Sequence, residues 1–229
     1  MPSSKKILYF ISSAVSTAVS VGLLGFGMSQ EWSTTTVLCA RDGTDEFNGT
    51  AALTMGLFNG SLFRDNCPGF QTEASFSAFD KLLETGGAPP ALHFLSVILL
   101  ALCLLFSAGS ILLSLYNSVS NPYQTCMGYV GVYACSSLSA CLSVLVLILF
   151  VINVSVTNLA EEVVFTIVSE VELGKKSVEM KVGYYLVIPY TVLSLVAIGL
   201  IYFYEHAAYT HKQEQEKPTE DAPMETMMY

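Results

Sequence analysis

Charge is what this sequence has least of. Only 13% of its 229 residues are Asp, Glu, Lys or Arg, against 52% hydrophobic, and a soluble domain carries about 25% charged residues. The long apolar runs contain no charged residue at all. Pumps, proton-coupled transporters and voltage sensors need ionisable groups inside their spans, so this shortage argues against them. No pair of short, interrupted apolar segments marks a transporter's substrate site. Bases are scarce too: 10 Lys and Arg face 19 Asp and Glu, for a net charge of −9. Without a cluster of Lys and Arg there is no nucleic-acid footprint. Nothing in the spacing of His, Cys and Asp suits a metal. The sequence has no Gly-rich phosphate cradle, no G-x-S-x-G and no C-x-x-C. The parts of an enzyme are missing, and no catalytic, cofactor-binding or metal residue is expected.

What the chain does have is length in its apolar runs. Four of them, at 7–29, 91–116, 129–152 and 183–204, are long enough to cross a bilayer. The first follows Lys5 and Lys6 and could be read as a cleavable signal peptide, but it outlasts the usual apolar core of one and is read as a retained span. Ser12, Ser16 and Ser20 form one small-residue ridge along it, and Ala14, Ala18 and Gly22 another. Such ridges let helix backbones approach closely in lipid, and packing within one bundle is the plainer use for them. Gly131, Cys135, Ser139 and Ser143 repeat the pattern in the third span. Pro189 inside the fourth span predicts a kink.

The loop at 30–90 sets the sidedness. It holds two sequons, Asn48-Gly49-Thr50 and Asn59-Gly60-Ser61, and two of the six cysteines, Cys39 and Cys67. Glycan acceptors belong to the non-cytosolic face, and cysteines there meet oxidising conditions, so Cys39 is expected to pair with Cys67. Such a bridge is worth about 3 kcal/mol. Both termini, 1–6 and 205–229, then lie in the cytosol with the short loop at 117–128, while 153–182 forms a second outer loop. The N-terminal lysines and Lys212 and Lys217 of the tail agree with this.

The run from Trp32 to Cys39 is rich in β-branched residues and reads as a strand; Ala51 to Phe58 is a second. The first loop is therefore expected to be a small β-rich cap. Trp32 stands where a helix leaves the bilayer, the usual place of an interfacial aromatic. His93 follows Pro89-Pro90 in the first turn of the second span, where the plain reading is a water-exposed histidine. Beyond the third span, apolar residues from Val156 to Val171 recur at helical spacing, which predicts an extension of that helix packed on the first loop. Asn153-Val154-Ser155 is a sequon in form but lies too close to the bilayer. Gly174 to Lys181 reads as a charged turn leading into a short strand. The tail is too polar to fold by itself.

Two further features concern modification and partners. Cys126, beside the membrane, is a candidate for palmitoylation, with an unmodified thiol as the plainer state. Met227 and Tyr229 place apolar and aromatic groups at alternate positions before the terminal carboxylate, the form of a PDZ ligand; a free end without a partner is the plainer reading.

Met1-Pro2 with Lys5-Lys6, Trp32, Val37-Leu38-Cys39, the Asn48 sequon, Gly56-Leu57-Phe58-Asn59-Gly60, Cys67, Pro122-Tyr123 and Gly131 together resemble the clarins, four-span proteins of the wider claudin-like group. Tyr116 to Thr125 and Lys212 to Pro218 are most similar to the third paralogue group of that family. Claudins carry Gly-Leu-Trp and two loop cysteines close together, whereas here Phe58 takes the place of that Trp and one cysteine lies upstream. Claudin pore or seal chemistry is therefore not carried over. The resemblance implies a mainly α membrane protein, a left-handed bundle of four transmembrane helices with a small β-rich extracellular cap. It implies a multi-pass plasma-membrane glycoprotein that contacts lipid and organises other membrane proteins laterally. Some clarins are tied to sensory cells and actin, which would give the tail a cytoskeletal partner. The alternative expectation is claudin-like cell–cell adhesion or a paracellular barrier.

Overall fold

A computed structural model describes residues 4–41, 49–65, 67, 74–119, 128–167 and 171–216. Helix α1 (Ser4–Met28) leads into strand β1 (Glu31–Arg41), followed by β2 (Gly49–Gly56), β3 (Asn59–Asp65) and β4 (Ala74–Ser77). Helix α2 (Ala78–Thr85) precedes the long helices α3 (Ala88–Val119) and α4 (Gly128–Ser155). The chain continues through α5 (Leu159–Ile167), β5 (Val171–Met180), α6 (Val182–Tyr185) and α7 (Val187–Glu216). Four segments, Lys6–Met28, Ala88–Val119, Gly128–Ser155 and Val182–His206, are long and apolar enough to cross a membrane. Helix α1 packs on α3 and α7, and α4 packs on the same two, so the spans close into a four-membered ring.

The cap is one antiparallel sheet of order β4-β3-β2-β1-β5. Alternation along the strands gives it a covered and an open face. Val37 and Cys39 of β1, Ala51, Leu53 and Met55 of β2, and Leu62 of β3 turn to the covered face. There they pack with Ala78 and Leu82 of α2 and with Leu159, Ala160, Val163 and Val164 of α5. The Cys39–Cys67 disulfide, with Cα atoms 5.8 Å apart, ties β1 to the chain just beyond β3 at the edge of this core.

Several elements differ from the sequence-based expectation. The apolar stripe after the third span does pack on the cap, but in a separate helix. The chain turns at Val156–Asn158, where Val156 and Thr157 N–H both reach back to Ile152 O and the Thr157 hydroxyl bonds Asn153 O. Helix α5 restarts with Glu162 N–H on Asn158 O. The stretch 174–181, expected as a charged turn leading into a short strand, is strand almost throughout: β5 pairs along β1 from Val171 to Met180, with an irregularity opposite Val37–Cys39 that absorbs one extra residue. Lys176 reconciles charge with the covered face by reaching Thr157 O (3.3 Å) and Glu161 (3.9 Å). Pro189 acts near the cap end of the fourth span, where the helix is interrupted between α6 and α7 at Leu186, because the proline has no N–H for the carbonyl four residues earlier. The expected tail begins as helix, since α7 runs on to Glu216.

The small ridges divide. In α4, Gly131, Ser139 and Ser143 are buried against neighbouring helices, as packing requires. In α1 the buried stripe is Phe10, Ser13, Ala14, Thr17, Ser20 and Leu24. Ala18 and Gly22 are exposed, and nothing lies within 4 Å of a Cβ placed on Gly22 or Gly25. An all-apolar helix has no polar face to mark its orientation, so the ridge alone could not show which side it presents.

Candidate functional site

The part of the molecule where separate elements must agree is the junction between cap and bundle. Its centre is Trp32, fully buried. Glu31 pairs with Gly56 while Ser33 pairs with Met55, so Trp32 is the extra residue of a β-bulge. A bulge re-aims a side chain, and here it turns the indole down between the spans. The indole N–H donates to Gly27 O at the end of α1 (2.9 Å). The ring meets Phe150 of α4 edge-on, with centroids 5.0 Å apart. On the fourth span Gly183 leaves the space for it: a Cβ there would stand 2.5 Å from Trp32 Cδ1. Trp32 is thus a core residue and not the interfacial aromatic its position suggested, because three spans and the sheet converge on it.

Gly56-Leu57-Phe58-Asn59-Gly60 is the β2–β3 hairpin. Leu57 at its tip is fully buried and joins Trp32, Leu99, Leu100, Phe150, Val187 and Tyr190. His93 holds the same tip from below: its Nε2 lies 2.9 Å from Leu57 O, and Phe79 packs edge-on against its ring. The exposed histidine expected in the first turn of the second span is in fact buried, because the hairpin folds down over it. Gly56 and Gly60 both sit in close approach to their neighbours. A Cβ on Gly56 would lie 3.1 Å from Asn59 O, and one on Gly60 would lie 2.6 Å from the Phe76 ring. Phe58 is partly exposed and faces Phe79, and its carbonyl accepts Ala78 N–H at the start of α2.

Beneath the junction the bundle is held by hydroxyls. Tyr190 O–H donates to Cys103 O (3.2 Å) and lies 2.8 Å from Ser107 Oγ. Ser110 pairs with Ser136, and Ser143 with Thr191, each at 2.8 Å. Ser13 and Ser16 of α1 donate to Ala197 O and Leu193 O of α7. Hydroxyls on facing helices satisfy one another in lipid without a buried charge. Among the described residues no group of three His, Cys, Asp or Glu could hold a metal.

The remaining site residues fall in different places. Asn59 opens β3 on the open face of the sheet and is exposed. Asn153 is fully buried, so the side-chain nitrogen of this third sequon is closed to a glycan. Gly131 is buried in α4. Asn48, Pro122, Tyr123, Cys126, Met227 and Tyr229 lie outside the described residues. Sequence reasoning passed over Gly183 and Tyr190, and it noticed His93 but read it as exposed. Only His93 carried a signal, a polar side chain just inside an apolar run.

Comparison with known proteins follows this geometry. A family model described as Clarin-2: Clarin-2-like matches residues 4–188, which includes every element from α1 to the start of α7. Human Clarin-3 is 32% identical over 234 residues, and rat Clarin-3 is 34% identical over 235, each covering 100% of both chains. Human Clarin-1 is 28% identical over 173 residues, covering 71% of this chain and 72% of its own.

Proposed function

Because the chain belongs to the clarin family, we propose that this multi-pass membrane protein is a non-enzymatic organiser of other membrane proteins. It would work at the plasma membrane, with the cap outside, both termini in the cytosol, and glycans on Asn48 and Asn59. The observation that carries the reading is the way the bundle spends its polar groups. Ser107 with Tyr190, Ser110 with Ser136 and Ser143 with Thr191 face inward and satisfy one another. The outer flanks of the spans and the cap are left to meet partners. The exposed Ala18 and Gly22 on α1 support lateral contact, since small residues let another helix approach.

The test is assembly state in a mild detergent. Wild type is expected to migrate with a captured partner or as an oligomer, and Gly22→Leu to shift towards the monomer without loss of folded protein. Wild type running only as a monomer, with nothing captured on crosslinking in cells, overturns the reading.

Adhesion between cells is the second reading. It is favoured by the open sheet face, on which Phe63 is 57% exposed. In a mixed culture of two tagged populations with non-expressing cells, enrichment only where expressing cells touch would put adhesion first. Even surface distribution would leave lateral assembly.

A further inference from the structure

We propose that the groove at the tip of the β2–β3 hairpin seats the innermost N-acetylglucosamine residues of a glycan on Asn59, so that sugar forms part of the open face of the cap. The inference rests on the reading that puts the cap outside the cell.

The placement comes from strand register. Residues directly opposite in neighbouring strands share a face. Asn59 pairs with Ser77, Ser61 with Thr54 and Ser75, and Phe63 with Ala52, so Asn59, Ser61 and Phe63 all stand on the open face. Beside the Asn59 side chain lies a groove of ≈ 420 Å³, lined among others by Met28, Gln30, Glu31, Thr54, Ser61 and Ser75. That volume falls in the range of about 300–1,000 Å³ typical of small-molecule sites.

The lining suits a sugar. A pyranose ring offers hydroxyls and an acetamide around its rim and C–H groups across its flat face. The lining brings the hydroxyls of Thr54, Ser61 and Ser75, the Glu31 carboxylate and the Gln30 amide, whose nitrogen also donates to Ser29 Oγ (3.3 Å), and these groups would answer the rim. The Thr54 hydroxyl lies 3.2 Å from that of Thr34, and a hydroxyl can make further hydrogen bonds beyond that one. Met28 supplies an apolar wall. Phe63, four residues along β3 from Asn59, stands about 13 Å away by strand rise, within reach of a branched oligosaccharide core. The ligand is tethered at the mouth of its own site. Its effective concentration is therefore high, and contacts too weak to capture a free sugar suffice.

The experiment uses the full chain expressed in mammalian cells and purified in mild detergent. Glycopeptide mass spectrometry reads occupancy of Asn59. Backbone hydrogen exchange across 54–61 is then compared in three forms: glycan intact, trimmed enzymatically to one N-acetylglucosamine, and removed. Complete removal is expected to speed exchange at least threefold, and trimming to leave it near the intact value. In Gln30→Ala/Thr54→Val, which keeps the sequon, exchange is expected to be fast already and indifferent to removal. The sugars are taken from folded protein, so the result does not depend on Asn59→Gln reaching the surface. An occupied Asn59 whose removal leaves exchange unchanged overturns the seat alone. A bare Asn59 overturns both the seat and the reading of this asparagine as a glycan acceptor. Neither result bears on lateral assembly, which is read by migration and crosslinking.

Discussion

Trp32 rests directly on Gly183. A Cβ on that glycine would meet the indole Cδ1 at 2.5 Å and Nε1 at 2.6 Å, with Glu31 O at 2.8 Å. The entry to the fourth span and the first strand of the cap are therefore fitted to each other across about 150 residues of chain. Cap and bundle share one core here, and damage at either residue should reach both.

Gly183→Ala forces the indole or β1 to move and should cost about 1–3 kcal/mol. Trp32→Ala should cost about 3–5 kcal/mol as a large cavity opens. The two changes touch one contact, so the double variant should lose less than the sum of the singles. Heat-induced loss of the monodisperse peak in detergent measures all three. A Gly183→Ala protein as stable as wild type would contradict the close approach.

His93 should matter as a donor. Its Nε2 lies on Leu57 O inside the junction, so His93→Leu leaves a buried carbonyl without a partner and should cost about 1–3 kcal/mol. His93→Gln keeps an N–H within the same region and should lose less. Equal losses for Leu and Gln, read by the same melting assay, would show that packing and not the hydrogen bond carries the effect.

Breaking the Cys39–Cys67 bridge releases a loop closed over a sequence separation of 28 and should cost about 2–5 kcal/mol. Cys39→Ser, Cys67→Ser and the double variant should fall together, because one cross-link is lost in each. Surface delivery and electrophoretic mobility without reductant are the measurements. A double variant clearly worse than either single would point to a separate role for one thiol.

Inside the bundle the effects should be small. Tyr190→Phe removes the contacts to Ser107 and Cys103 O, and interhelical hydrogen bonds in membranes are worth about 0.6 kcal/mol on average and about 1.7 at most. Ser107→Ala should cost no more, and the pair should be less than additive. A Tyr190→Phe loss well above this range would mean that the phenol carries more of the bundle than its two contacts account for.

Much of the architecture is legible in the sequence. The four spans follow from apolar runs longer than any soluble helix core needs, and the Cys39–Cys67 pair from two cysteines sharing one polar loop. The first strand follows from its β-branched run, Trp32 to Cys39. Less legible were faces and endings. Helix α5 was visible as an apolar period, but the break before it depends on how Thr157 turns back onto Asn153. Strand β5 is polar and charged along Glu172 to Lys181, so only its end was expected as strand, and its full length comes from pairing with β1.

What the sequence determined by itself is the set of things written in order along the chain: spans, loops, cysteines, sequons and the absence of intramembrane charge. Each depends on a local run of residue types. What only the tertiary structure decided is which groups meet. Trp32 became core and not a membrane-surface anchor because a bulge, Gly27, Phe150 and Gly183 converge on it. His93 became a buried donor because Leu57 folds over it. Gly22 came to face outward because in lipid an apolar helix is equally content on every side, and only its neighbours choose its orientation.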